Sequence, residues 1–357
     1  MFQKHYADLL KKVDNTLNEF MNEQVKSVEE NPFLHYYYGR IKDYLFSGGK
    51  RFRPILMILS YSSVNPQKIS NDILQVSLSV ELLHNASLIH DDIMDNAETR
   101  RGQNAFHSDL REYAKNNYPQ NNVNYSDYGL GMGLLGGDYV YNLAYKSILI
   151  DEFSPEITLQ ASKEFNEGFL DVVKGVIFET DMMGRFEVSE KEYIEMITGK
   201  TAALFERAAR MGAVLAGGSS SQVECLGNYG RNSGIAFQLI DDIIGSFGDS
   251  KKTGKPTDSD LKEGKKTILV VKAIQDANPS QRKRLKELLG KQEATEEEIE
   301  EVRDIIRETG ALAYAREKAE EFYKRSERYL DEANPEYDEQ IKNYLIEIAK
   351  MGVHRVK

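Results

Sequence analysis

Leu82–Gly102 reads LLHNASLIHDDIMDNAETRRG, an apolar stretch with helical spacing that closes in aspartates and then two arginines. Asp91, Asp92 and Asp95 stand at i, i+1 and i+4, so a helix stacks Asp91 and Asp95 one turn apart on one face. Like charges in that register oppose the helix by roughly 0.2–0.5 kcal/mol per pair unless a cation lies between them. Hard oxygen donors suit Mg2+, which binds through one or two carboxylates together with phosphate oxygens. Arg100 and Arg101 follow at once, and guanidinium forks match phosphate oxygens two at a time. His84 lies seven residues before Asp91, two turns along the same side. Acids needing a cation beside arginines needing an anion point to a metal-bridged diphosphate. A solvated helix end has similar composition, so the reading turns on what the other segments supply.

The 357 residues carry a net charge of −11, which argues against nucleic acid as the main partner and requires any anionic substrate to be held by a local basic cluster. The single cysteine, Cys225, rules out an intramolecular disulfide and a cysteine-based metal site, and fits a reducing compartment. The opening residues MFQKHYADLLKK lack the apolar run of a signal peptide, and no uninterrupted apolar segment reaches the ~18 residues of a membrane span. A cytoplasmic protein with no transmembrane segment is expected.

Helical periodicity dominates the chain. Leu9, Leu10, Val13, Leu17, Phe20, Met21, Val25 and Val28 give one buried stripe, and Pro32 ends it. A second helix is expected to stop at Gly48-Gly49, and Pro54 suits the first turn of a third. The helix carrying the opening stretch starts near Ser70 and, through LQVSLSVELL, is apolar on most sides, as a buried helix is. Residues 116–129 are polar and turn-rich and read as a loop, with helix resuming from about Leu130 to Ile150. Ser154-Pro155-Glu156 marks a helix start, as do the capping boxes Ser189/Glu192 and Thr295/Glu298. With no alternating strand pattern, the chain reads as all-α, one domain over residues 1–357, with about a dozen helices.

Four further segments hold residues that a helical core does not need. Gly48-Gly49-Lys50-Arg51-Phe52-Arg53-Pro54 sets three cations beside two glycines, and Gly199-Lys200-Thr201 breaks an apolar helix with a glycine and a cation. Taken singly, a basic surface turn and a tolerated kink account for them as well as a site does. Phe237-Gln238-Leu239-Ile240-Asp241-Asp242-Ile243-Ile244-Gly245 then repeats the opening design, an apolar helix ending in paired aspartates. Behind it come Lys251, Lys252, Lys255, Lys265 and Lys266, interleaved with glycines as phosphate-contacting loops are. Two acid-ended helices, each followed by cations, favour a functional site.

Taken in order, GGKRFRP, LLHNASLIHDDIMDNAETRRG, GKTAALF and FQLIDDIIGSFGDSKKTGKPTDSDLKEGKKT resemble the trans-isoprenyl diphosphate synthases, the polyprenyl synthetase family that includes farnesyl and geranylgeranyl diphosphate synthases. The resemblance implies an all-α isoprenoid-synthase bundle around an elongated cavity, usually a homodimer. It also implies Mg2+, three ions per site, and condensation of isopentenyl diphosphate with an allylic diphosphate. Carried over by position, Asp91, Asp92, Asp95, Asp241 and Asp242 are the expected metal ligands, and Arg100, Lys200, Lys255 and Lys265 the expected contacts of the allylic diphosphate. Lys50, Arg53, His84 and Arg101 are expected on isopentenyl diphosphate, with Thr201 and Gln238 beside the developing allylic cation. Gly245 departs from the family members that have a third aspartate there, and Asp249 is the candidate to replace it. Ala86 and Ser87, five and four residues before Asp91, occupy positions that often carry bulky side chains limiting the growing chain. Both are small here, which predicts a product of C20 or longer. A class I terpene cyclase would share the acids and Mg2+ but would not need the second set of cations. A non-catalytic subunit of a heteromeric prenyl synthase would typically have lost the aspartates.

Overall fold

The computed structural model describes residues 2–66, 69–120, 122–248 and 258–354. The first half contains α1 (Phe2–Lys26), α2 (Pro32–Phe46), α3 (Phe52–Val64), α4 (Asn71–Met94), α5 (Phe106–Asn117), α6 (Tyr125–Lys146) and α7 (Pro155–Met183). Next come α8 (Glu190–Ile197), a π-helical turn at Thr198–Ala202, α9 (Ala203–Leu215) and α10 (Ser220–Phe247). The remainder is α11 (Ser259–Glu263), α12 (Ile268–Asp276), α13 (Pro279–Leu288), α14 (Glu296–Glu308), α15 (Ala311–Asp331) and α16 (Glu339–Val353). Two-residue strands β1 (Thr99–Arg100) and β2 (Gln103–Asn104) pair antiparallel behind the first acidic segment.

The capping signals act where the sequence places them. Ser70 and Ser154 accept from the backbone N–H groups of Ile73 and Ile157, and Ser189/Glu192 and Thr295/Glu298 close as reciprocal boxes. The polar segment is more helical than expected. Here α5 runs to Asn117, and Asn124 caps α6 by accepting from Ser126 and Asp127, so the connection spans only 118–124. Glycines at 129, 131 and 133 weaken the helical signal in sequence, but packing of α6 on α4 and α5 overrides that propensity.

Buried apolar side chains form one connected cluster. Two long helices, α4 and α10, run through it, and α9 packs against both. Each is therefore held by burial while its C-terminal part carries paired aspartates, in the last turn of α4 and nearly two turns before the end of α10. The basic turn before α3 is fixed by Arg51, in the left-handed region at φ 50°. Its buried guanidinium pairs with Glu81 at 2.6 Å and Asp14 at 3.0 Å, and donates to the Leu45 carbonyl at 2.8 Å. Arg51 is thus a structural cation, and its neighbours are the ones left for chemistry.

The π-turn depends on a close approach between α7 and α9. A Cβ on Gly175 would lie 2.2 Å from the Lys200 backbone nitrogen, and one on Gly199 2.7 Å from the Asp171 carbonyl oxygen. The absence of both side chains lets the wider turn seat against α7, where Lys200 and Thr201 both reach the interior. In an ordinary helix interior Gly→Ala stabilises by up to about 1 kcal/mol. Gly175→Ala is predicted to do the opposite, lowering stability by roughly 1–3 kcal/mol through overpacking. Urea unfolding checks the sign, and an unchanged or raised midpoint contradicts this account of the turn.

Candidate active site

The C-terminal parts of α4 and α10 face a common cavity of about 230 Å3. Asp91 and Asp95 line it from α4, Gln238, Asp241 and Asp242 from α10, and Lys200 and Thr201 from the π-turn. Glu179 of α7, Asp260 of α11, Arg100, Lys265 and Lys266 complete the polar wall. An adjoining cavity of about 280 Å3 shares Asp91, Arg100, Lys200, Thr201, Gln238 and Asp241, and adds Arg53, His84 and Arg101. Its apolar lining includes Leu88, Val172, Val176, Leu204 and Phe237. One compartment is acid-lined and the other basic and apolar, with a shared boundary.

The two aspartates of each pair do different work. Asp91 and Asp241 line both cavities. Asp92, fully buried, lines neither; it accepts from Arg100 Nε at 2.5 Å and the Tyr44 hydroxyl at 3.1 Å. Asp242 accepts from the Tyr193 hydroxyl at 2.6 Å and from Gln238 Nε2 at 2.8 Å. The second acid of each motif therefore positions a neighbour, Arg100 in one case and Gln238 in the other. Thr201 Oγ1 donates to Gln238 Oε1 at 2.7 Å, which fixes the amide between two partners.

The electrostatics match a site short of positive charge. Burial raises the carboxyl pKa of Asp91, with Glu179 and Asp95 adding to the rise and Lys200 opposing it. Burial likewise raises Asp260, and lifts Asp242 to about 7. Lys200 is paired with Glu179, an acid not marked out in the sequence. Lys265 bridges Glu263 at 2.6 Å and Asp95 at 3.4 Å. In the basic cavity, burial with Arg53 and Arg101 nearby holds His84 well below the ordinary imidazole value, so it is neutral at pH 7. Burial also lowers Arg53 to about 10, its Nε lacks a hydrogen-bond partner, and its guanidinium lies 4.9 Å from the Phe205 ring centroid. Arg101 donates to the Gly48 carbonyl at 2.8 Å, which ties the basic turn to the cavity. Lys50 is on that turn but outside the lining, 5.8 Å from the Phe52 ring centroid.

Gly245 has a physical counterpart. A Cβ there would lie 2.7 Å from Asp260 Oδ2, so the Asp260 carboxylate occupies the space beside that position. Asp249 and Lys255 lie outside the described residues. Ser87 lines the second cavity and donates to the His84 carbonyl at 2.8 Å, whereas Ala86 is packed in the core and lines neither. Among the described residues no three carboxylate or imidazole groups converge closely enough to enclose a metal ion alone. Carboxylates brought to one cavity from separate helices, Asp91 and Asp95 from α4 and Asp241 from α10, do fit Mg2+ that shares its ligands with phosphate oxygens.

The profile of the Polyprenyl synthetase family matches residues 35–306. The chain is 30% identical over 340 residues to a geranylgeranyl diphosphate synthase of Sulfolobus acidocaldarius, covering 94% of each chain. It is 34% identical over 314 residues to a geranylfarnesyl diphosphate synthase of Aeropyrum pernix, covering 87% of this chain and 92% of the relative. A crystal structure of a Corynebacterium glutamicum geranylgeranyl pyrophosphate synthase, complexed with isoprenyl diphosphate and magnesium, superposes with a TM-score of 0.90 at 26% identity, covering 97% of this chain and 98% of that one. Motif order, the two-compartment cleft and these matches agree, and the chain belongs to the polyprenyl synthetase family of trans-prenyltransferases.

Proposed function

We propose that the enzyme condenses isopentenyl diphosphate head to tail with an allylic diphosphate, using three Mg2+ ions, to give a product of C20 or longer. The observation carrying this reading is the pair of cavities, one acid-lined and one basic, that share Asp91, Asp241, Arg100 and Lys200. Asp91, Asp95 and Asp241 would hold the metal, with Asp260 supplying the acid that Gly245 does not, and Asp92 and Asp242 acting as anchors. When bound, Mg2+ neutralises charge on the leaving diphosphate.

Lys200, Arg100 and Lys265 meet the oxygens that gain charge as the allylic C–O bond breaks. Lys255 is assigned the same role from the resemblance. Thr201 and Gln238 present oxygen dipoles to the allylic cation. Arg53, Arg101 and neutral His84, with Lys50 at the rim, hold the second diphosphate so that the isopentenyl double bond attacks within one complex. A C–C bond forms, and the proton lost from the adduct passes to the departed diphosphate. A terpene cyclase has no use for the second cation set, and the retained aspartates count against a non-catalytic subunit.

The growing chain would run between Ser87 on α4 and Val172 and Val176 on α7, all of which line the second cavity. Further along the same face of α7 lie Phe169 and Phe165, whose rings are 4.3 and 6.0 Å from that of Tyr141. This aromatic group forms the floor, and the small Ser87 leaves the way to it open, while Ala86, turned into the core, does not bear on it.

The protein acts as a cytoplasmic homodimer of one domain, residues 1–357. Leu170, Val173 and Ile177 of α7, and Leu134 and Leu135 of α6, are large apolar residues left exposed, with Ile177 at 66%. Large apolar side chains left exposed on two helices favour a second copy as their cover. Sedimentation is predicted to show a dimer, with Ile177→Glu shifting it toward monomer; a monomeric wild type refutes this.

Incubation with isopentenyl diphosphate, Mg2+ and allylic starters of several lengths is expected to give C20 or longer products, lost on chelation. Exclusive C15 formation contradicts the length, and failure to consume isopentenyl diphosphate contradicts the function. Ser87→Phe is predicted to shorten the product, and an unchanged distribution removes that position from length control.

A further inference from the structure

The cations of the acid-lined cavity are not equivalent in the ligand-free chain. Arg100 is paired with Asp92, Lys200 with Glu179, and Lys265 with Glu263 and Asp95. Lys266 lines the same cavity, is only 8% exposed, and donates to the Gly264 carbonyl at 2.7 Å. Among the described residues it makes no ion pair with a carboxylate, and burial alone lowers its pKa. Its backbone is well anchored. Gly264 ends α11 in the left-handed region at φ +74°, and Thr267 caps α12 by accepting from Val270.

A buried ammonium with one neutral acceptor has lost most of its hydration without an opposite charge in return. It has three N–H donors, and one carbonyl uses one of them. An arriving anion need not displace a carboxylate to engage it, as it must at Lys200 or Lys265.

We propose that Lys266 is a further binding residue for the diphosphate of the allylic substrate, donating to its oxygens from the α11–α12 turn. This rests on the prenyltransferase reading above. In the other cavity, Arg53 stands in the comparable position of a buried cation facing the lining. Each diphosphate then meets one such cation. Lys266 adds hydrogen bonds and charge, and transfers no proton.

The test is calorimetric titration of the full chain with inorganic diphosphate and Mg2+, comparing wild type with Lys266→Gln, Lys266→Met and Lys266→Arg. A hydrogen bond to a charged group corresponds to a factor of roughly ten to one hundred in affinity. The two neutral variants are therefore expected to bind diphosphate at least about tenfold more weakly, with Lys266→Arg recovering part of the loss. In steady-state assays KM for the allylic substrate should rise while KM for isopentenyl diphosphate is unchanged, a split that general loss of structure would not produce. Either neutral variant, folded and binding diphosphate as wild type does, overturns the proposal. Wild-type chain that binds no diphosphate instead overturns the functional reading on which it rests.

Discussion

The structure is governed by the confinement of carboxylates in a cavity walled by buried helices. Asp91, in the last turn of α4, and Asp241, nearly two turns before the end of α10, stand on helices whose apolar faces are fixed in the core, so the backbone holds both acids at the wall of one cavity. Desolvation and neighbouring acids raise the pKa of Asp91, Asp242 and Asp260 together. The arrangement is stabilised by positive charge. Lysines and arginines supply part of it in the ligand-free chain, and under the proposed function the metal ions carried with a diphosphate would supply more.

Polar groups in the wall of the cavity and behind it hold one another in place. Tyr44 and Asp92 hold Arg100, while Tyr193 and Asp242 hold Gln238, which holds Thr201 in turn. Each buried donor in these chains has its acceptor, which makes alternative rotamers costly. Arg51 plays the same part for the basic turn, pinned to Glu81 so that Arg53 faces inward.

Much of the cavity lining was legible in sequence because its charged residues interrupt or follow apolar helical runs that local signals mark. Asp91, Asp241, His84 and Arg53 could be named from spacing and resemblance, and the helix starts from their caps. Three things could not. Glu179 has no local motif and joins the site only because Gly175, one turn earlier, lets the π-turn approach α7. Asp260 is one acid among several after α10, and its place beside Gly245 appears only when α11 folds back. The division of labour within each aspartate pair is also hidden, since adjacent residues on a helix point about 100° apart and only tertiary contacts say which faces the cavity. Ala86 shows the same limit, because it is adjacent to Ser87 yet turned into the core.

The central claim is that Asp91 and Asp241, on opposing helices, act together on a metal-bound diphosphate. Titrating Mn2+ in the presence of inorganic diphosphate, read by electron paramagnetic resonance, tests it in wild type, Asp91→Ala and Asp241→Ala. The account predicts ordered Mn2+ in wild type only when diphosphate is present, with loss of that signal and of condensation in either variant. A variant that keeps both the Mn2+ signal and a near wild-type condensation rate would contradict it.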